Sequence, residues 1–190
     1  MNICVYGASS SDINKSYIHD GETLGQEIAK RGHTLKFGGS QNGMMGASAK
    51  GADQGGGKII GIAPNFFNVD GVLYECDEFI YPDTMRERKQ LLEEKSDAFV
   101  ITVGGIGTMD EFFEILTLKQ LGRHNKAIVI LNSNGFYNKL LELIDYYIEE
   151  KVLLETIKNL YYVAKNPNDA IDYIENYTQE IINPTKYKNI

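Results

Sequence analysis

An α/β fold is predicted, a doubly wound, mostly parallel sheet with helices on both faces. Three observations predict it. Short apolar, β-branched runs alternate along the chain with longer stretches of helical period. Clusters of glycine, serine or proline fall just behind four of those runs. The 190 residues are 43% hydrophobic, enough for one sizeable core, and contain no internal repeat, linker or low-complexity segment. Residues 1–182 read as a single domain, and the polar stretch 183–190 as a loose C-terminal tail.

The elements follow in order. Residues 3–6 (Ile3-Cys4-Val5-Tyr6) are a short apolar strand, followed by Gly7-Ala8-Ser9-Ser10-Ser11. A helix over 17–31 carries Leu24, Ile28 and Ala29 at helical spacing, and Gly32 closes it. A second strand, 33–37, runs into the glycine-rich segment 38–46 and a small-residue helix over 44–54. The third strand, 59–63, is ended by Pro64. A short fourth, 78–81, precedes a charged helix over 84–94. The fifth, 97–102, leads into Gly104–Thr108 and a helix over 108–121, with Thr108 as its cap. Strand 127–131, helix 135–150, an extended piece 160–164 and helix 167–177 complete the pattern.

In such folds parallel strands are joined by right-handed crossovers, and ligands bind at the carboxyl ends of the strands. The segments after the first, second, third and fifth strands therefore converge on one edge of the sheet. Of these, Val103-Gly104-Gly105-Ile106-Gly107-Thr108-Met109-Asp110-Glu111 is the most informative. Glycines let the backbone turn sharply and let a ligand approach closely. The unpaired N–H groups of the helix start then suit an anion. Taken alone, such a turn is equally a structural junction. It is neither a P-loop nor G-x-G-x-x-G. The helix start Met85-Arg86-Glu87-Arg88-Lys89 is a solvated charge run on one reading and a phosphate or base contact on the other.

Composition excludes several classes. A net charge of −7 with no basic block argues against a nucleic-acid partner. No apolar run reaches the ~20 residues of a membrane span. The first residues lack a signal-peptide pattern, so a cytoplasmic location is expected. Cys4 and Cys76 are too few and too far apart for a disulfide framework or zinc site, and read as buried thiols. His19 and His33 sit in surface-like contexts, and His124 reads as a loop residue. Neither a metal nor another cofactor is expected.

Four motifs in order carry a resemblance. Gly7-Ala8-Ser9-Ser10, Gly38-Gly39-Ser40-Gln41-Asn42-Gly43-Met44-Met45-Gly46, Met85-Arg86-Glu87-Arg88-Lys89 and the 103–111 segment resemble the LOG (LONELY GUY) family, as do 120–126 and 135–138. Its members are cytokinin riboside 5′-monophosphate phosphoribohydrolases, many once mislabelled lysine decarboxylases. The resemblance runs from Ile3 to about residue 141 and implies a Rossmann-like fold. Val103 stands for the family's proline, Arg86 for its histidine, and Ser40 and Ala8 for glycines. Without proline's fixed φ, the loop entry at Val103 is expected to be more mobile.

The resemblance implies hydrolysis of the N-glycosidic bond of adenosine 5′-monophosphate or an N6-substituted relative, giving free base and ribose 5-phosphate. It makes Arg88 and Glu111 the catalytic pair. Ser9, Gly105, Gly107 and Thr108 would hold the phosphate. Gly39, Met85, Lys89 and Gly104 are further substrate-binding candidates. Asp110, one residue from Glu111, points elsewhere. No lysine is marked for pyridoxal phosphate, so the decarboxylase reading is rejected. The rival classes are a non-catalytic carrier of a phosphorylated cofactor, like the molybdenum-cofactor carriers, and a nucleotide sensor. A homodimer or larger homo-oligomer is also implied. The apolar stretches 136–148 and 170–177 supply natural faces for it.

Overall fold

The computed structural model describes residues 1–69 and 71–187. Seven strands, β1 (Asn2–Tyr6), β2 (Thr34–Phe37), β3 (Ile59–Ile62), β4 (Glu78–Ile80), β5 (Ala98–Ile101), β6 (Ala127–Leu131) and β7 (Tyr162–Ala164), form one sheet. Their order is β4-β3-β2-β1-β5-β6-β7, and all six pairings are parallel. The order reverses between β1 and β5, which register Tyr6 against Ile101. The loops after these two strands therefore lie side by side, at the switch point where doubly wound sheets hold ligands.

Among the described residues six α-helices cover the sheet: α1 (Lys15–Lys30), α2 (Gly43–Gln54), α3 (Met85–Glu94), α4 (Ile106–Gln120), α5 (Asn138–Glu149) and α6 (Pro167–Asn176). Because side chains alternate along each strand, the sheet feeds two cores. Ile3, Val5, Leu35, Phe37, Val100 and Val129 meet Leu24 and Ile28 of α1, Ala49 and Ala52 of α2, and Ile171 and Ile174 of α6. Cys4, Tyr6, Phe99, Ile101, Ile128 and Ile130 meet Leu92 of α3, Phe112 and Ile115 of α4, and Ile144 of α5.

Several boundaries differ from the sequence reading. Helix α4 starts at Ile106, two residues early, because Gly105 (φ −99°, ψ −147°) serves as its N-cap. Thr108 thus lies inside the first turn and is not the cap. Helix α5 starts at Asn138 and not at 135, because Asn134 (φ 51°) and Gly135 (φ 73°) hold a left-handed turn that no α-helix accommodates. Leu160 closes a 3-10 turn, Glu155–Leu160, and only then does β7 begin.

Cys4 is fully buried, whereas Cys76 is only half-buried. Burial pushes both thiols up to about 12, so neither is a thiolate near neutrality. The apolar face of α6 is spent on this chain's own sheet, since Ala170, Ile171 and Ile174 are buried. It does not supply the free face expected of 170–177. On α5, by contrast, Leu143, Tyr146 and Tyr147 are exposed. Of the expected tail, Asn183 caps a 3-10 turn (Pro184–Lys186), and the Tyr187 carbonyl accepts from Gln120 Nε2 at 2.6 Å. The rest of that tail, 188–190, lies outside the described residues. Among the described residues no helix is long and apolar enough to cross a membrane, and no cluster of three His, Cys, Asp or Glu side chains suits a metal ion.

Candidate active site

Two adjoining cavities of about 310 Å³ each open at the switch point. The first lies between the β1 loop and the start of α4, lined by Gly7 to Ser10 and by Gly105, Gly107, Thr108 and Glu111. The second is more apolar, with Gly38, Ser40, Phe67, Val72, Leu73 and Met85 in its wall. Ser9, Met45, Arg88 and Gly107 border both.

Arg88 is built in from four sides. Helix α3 begins with Thr84, whose hydroxyl accepts from the Glu87 N–H at 3.1 Å, and that cap sets Arg88 one turn inside. Its Nε donates to the Ile62 carbonyl at the end of β3, at 3.2 Å. Its Nη1 donates to Glu111 Oε1 at 2.7 Å. Its Nη2 lies against Gly38, where any Cβ would run into the guanidinium. Arg88 and Glu111 are both buried, each about 8% exposed. Burial pushes the Glu111 carboxyl above its ordinary range, and the Arg88 charge and hydrogen bond hold it back. At its far end α3 is tied down by lysines. Lys36, buried on β2 and pushed down to about 8 by that burial, donates to the Lys95 carbonyl at 2.7 Å. Lys126 donates to the Glu93 carbonyl at 2.6 Å.

The glycines of the 103–111 segment divide by role. A Cβ on Gly104 would strike the Thr108 side chain, so that glycine serves internal packing. At Gly105 and Gly107 an added Cβ would meet no protein atom within 4 Å, and neither residue has a positive φ. Nothing in the fold itself requires glycine there. Both border the first cavity, next to the free N–H groups of the α4 start.

The structure brings together most of the residues read from the sequence. Arg88, Glu111, Ser9, Met85, Gly105, Gly107 and Thr108 line the cavities. Three candidates do not. Lys89 bridges Asp110 at 3.0 Å and Glu114 at 2.9 Å, on the far side of the α3–α4 contact. Gly39 (φ 82°) packs under Phe79, and Gly104 under Thr108. Of the four converging segments, Pro64-Asn65 itself contributes nothing, but the chain just beyond it supplies Phe67, Val72 and Leu73. These and Met45 were missed. The available signal was the position of Phe66-Phe67 directly behind a strand end, where an exposed aromatic pair has no core to serve. His124 is structural: its Nε2–H donates to the Ile115 carbonyl at 2.8 Å, and burial pushes the imidazole down to about 4.

Fold and site define a doubly wound α/β protein with a glycine-lined cavity at its switch point and a buried arginine–carboxylate pair in the cavity's wall. The family model described as "possible lysine decarboxylase" matches residues 45–174. A probable cytokinin riboside 5′-monophosphate phosphoribohydrolase of Oryza sativa subsp. japonica, LOGL6, is 33% identical over 93% of this chain and 71% of its own length. The Arabidopsis thaliana cytokinin riboside 5′-monophosphate phosphoribohydrolase LOG2 is 34% identical over 92% of this chain and 83% of its own. The chain belongs to this LOG family. Among solved structures, the molybdenum cofactor binding protein of Rippkaea orientalis superposes with a TM-score of 0.72 at 25% identity, covering 92% of this chain and 94% of that one. The molybdenum cofactor carrier protein of Chlamydomonas reinhardtii gives 0.68 at 26%, over 92% and 95%. Among the described residues, no lysine lines either cavity.

Proposed function

We propose that the chain hydrolyses the N-glycosidic bond of adenosine 5′-monophosphate or an N6-substituted riboside 5′-monophosphate, releasing free base and ribose 5-phosphate. The observation that carries this reading is the buried Arg88–Glu111 pair at 2.7 Å beside the open backbone of Gly105 and Gly107. The first cavity takes the 5′-phosphate, with Ser9 and Thr108 adding hydroxyl donors. The second, apolar cavity takes the base. As the C1′–N9 bond breaks, its electron pair leaves with the base and the sugar becomes oxocarbenium-like. The Glu111 carboxylate stabilises that cation and orients the water that adds to C1′. The water's proton ends on the base. Arg88 holds the Glu111 carboxylate in place through its 2.7 Å hydrogen bond and favours the charged form electrostatically.

The names of the curated relatives support hydrolysis. The molybdenum cofactor carriers among the solved neighbours favour a second reading, in which the same cavity holds a phosphorylated cofactor without turnover. Purified protein incubated with adenosine 5′-monophosphate, and separately with N6-isopentenyladenosine 5′-monophosphate, separates the two. Release of base and ribose 5-phosphate, lost in Glu111→Gln, establishes the hydrolase. Binding without release establishes the carrier or sensor. Self-association through the exposed Leu143, Tyr146 and Tyr147 of α5 completes the proposal, and light scattering tests it.

A further inference from the structure

The turn between β6 and α5 reaches the glycine loop through one side chain. Tyr137, 3% exposed, donates its hydroxyl to the Thr102 carbonyl at 2.6 Å. Thr102 is the residue between β5 and Val103. Its N–H and its hydroxyl both go to the Tyr6 carbonyl, at 2.8 and 2.9 Å. The next carbonyl, Val103, accepts the Ala8 N–H at 3.0 Å. The phenol therefore holds the point where the loops after β1 and β5 are stitched together, and these loops are the two walls of the first cavity.

Tyr137 is itself fixed from behind. Its N–H donates to Asn132 Oδ1 at 2.8 Å, and Asn132 Nδ2 donates to Asn138 Oδ1 at 2.8 Å. The Asn132 N–H is held by the Ala164 carbonyl of β7 at 3.0 Å. The left-handed pair Asn134 and Gly135 turns the chain so that Tyr137 points back at the sheet. A turn with this many fixed bonds transmits position, because none of its members can shift alone. The loop entry at Val103 is buried, and its carbonyl is bonded to the β1 loop.

We propose that Tyr137 is a positioning residue for the glycine loop: through Thr102 it sets the distance between the β1 loop and the α4 start, and so the fit of the phosphate. The inference rests on the reading of that loop as the phosphate seat. Tyr137 touches no reacting atom and acts only through the loop.

Tyr137→Phe keeps the buried ring and removes only the hydroxyl. The expected result is amide exchange at Ala8 about tenfold faster, with exchange at Val129 and Ile130 in β6 unchanged. The dissociation constant for ribose 5-phosphate, read by calorimetry, is expected to rise about tenfold. Unchanged exchange at Ala8, or equal acceleration at Val129 and Ile130, overturns the proposal. Wild-type binding of ribose 5-phosphate with an unmoved constant in Tyr137→Phe overturns the positioning role alone. A wild-type chain that binds no ribose 5-phosphate refutes the phosphate seat, and the positioning role with it.

Discussion

Helices α1 and α2 meet backbone to backbone, whereas α3 and α4, across the sheet, meet through charged side chains. On the first face a Cβ at Gly25 would strike the Ser48 carbonyl, and one at Gly51 the Glu22 carbonyl. Glycine there allows close approach, and the polar links between these two helices, Lys50–Glu22 at 2.6 Å and Gln26–Gln54 at 3.1 Å, lie on the exposed side of the contact. On the second face α3 buries only Leu92 and Arg88, and the helices are joined by Arg88–Glu111 and by Lys89 with Asp110 and Glu114. A buried ion pair is a poor source of stability, because desolvating both charges offsets most of their attraction. Such pairs are concentrated where chemistry needs them. One face of the sheet is built to persist, and the other to hold charge next to a cavity.

That contrast is sharpest for the pair itself. Glu111→Gln is expected to lower turnover by about 10³-fold or more, measured as base release. Arg88→Ala is expected to do the same and also to destabilise the fold by about 3 kcal/mol, because it leaves a carboxylate buried without its partner. The double replacement Arg88→Met with Glu111→Leu should recover that stability and remain inactive. A double variant less stable than either single would show that the pair is structural after all.

His124 gives the charged face a pH response. The unfolded imidazole titrates at about 6.5, but the folded one is held neutral down to about 4. Protons therefore bind the unfolded chain first. Stability is complete above pH 6.5 and falls by up to about 3 kcal/mol as the pH drops toward 4. Urea midpoints against pH should show this slope, and His124→Gln, which still donates to Ile115, should flatten it. On the other face, Gly51→Ala should cost about 2 kcal/mol despite alanine's better helix propensity, because the overpacked backbone must separate. Its base release at a temperature where it stays folded should match the wild type.

The smallest expected stability effect is the most diagnostic. Gly107→Ala has open space around the new methyl and lies in the first turn of α4. It should stabilise the fold by about 0.5 kcal/mol, while ribose 5-phosphate affinity falls at least about tenfold because the methyl occupies the anion's place. If stability and affinity moved together in this variant, the two faces would not differ in kind.

Much of this was legible before any coordinates. Strand and helix periods placed every element of the sheet, because alternation and helical spacing are local properties of the chain. The motif from Val103 to Glu111 was recognisable because it follows three other motifs in the order that the LOG resemblance requires. Helix starts were less legible. The 3-10 turns and the early start of α4 depend on single dihedral angles, such as those at Gly105 and Asn134, which composition does not fix.

Legible in the residues alone were the set of elements, their mostly parallel alignment, the family, and the residue types at the strand ends. Partnership was left to the packed fold. Lys89 and Arg88 are neighbours in sequence and equally cationic, yet one faces Glu111 in the cavity wall and the other faces Asp110 and Glu114 outside it. Gly105 and Gly107 stand open to a ligand, while Gly104 between them and the strand is filled by Thr108. The physical reason is range. Propensity and periodicity act over a few residues. Which charge meets which, and which glycine faces a void, depends on where the strand order reverses, and only the packed sheet fixes that.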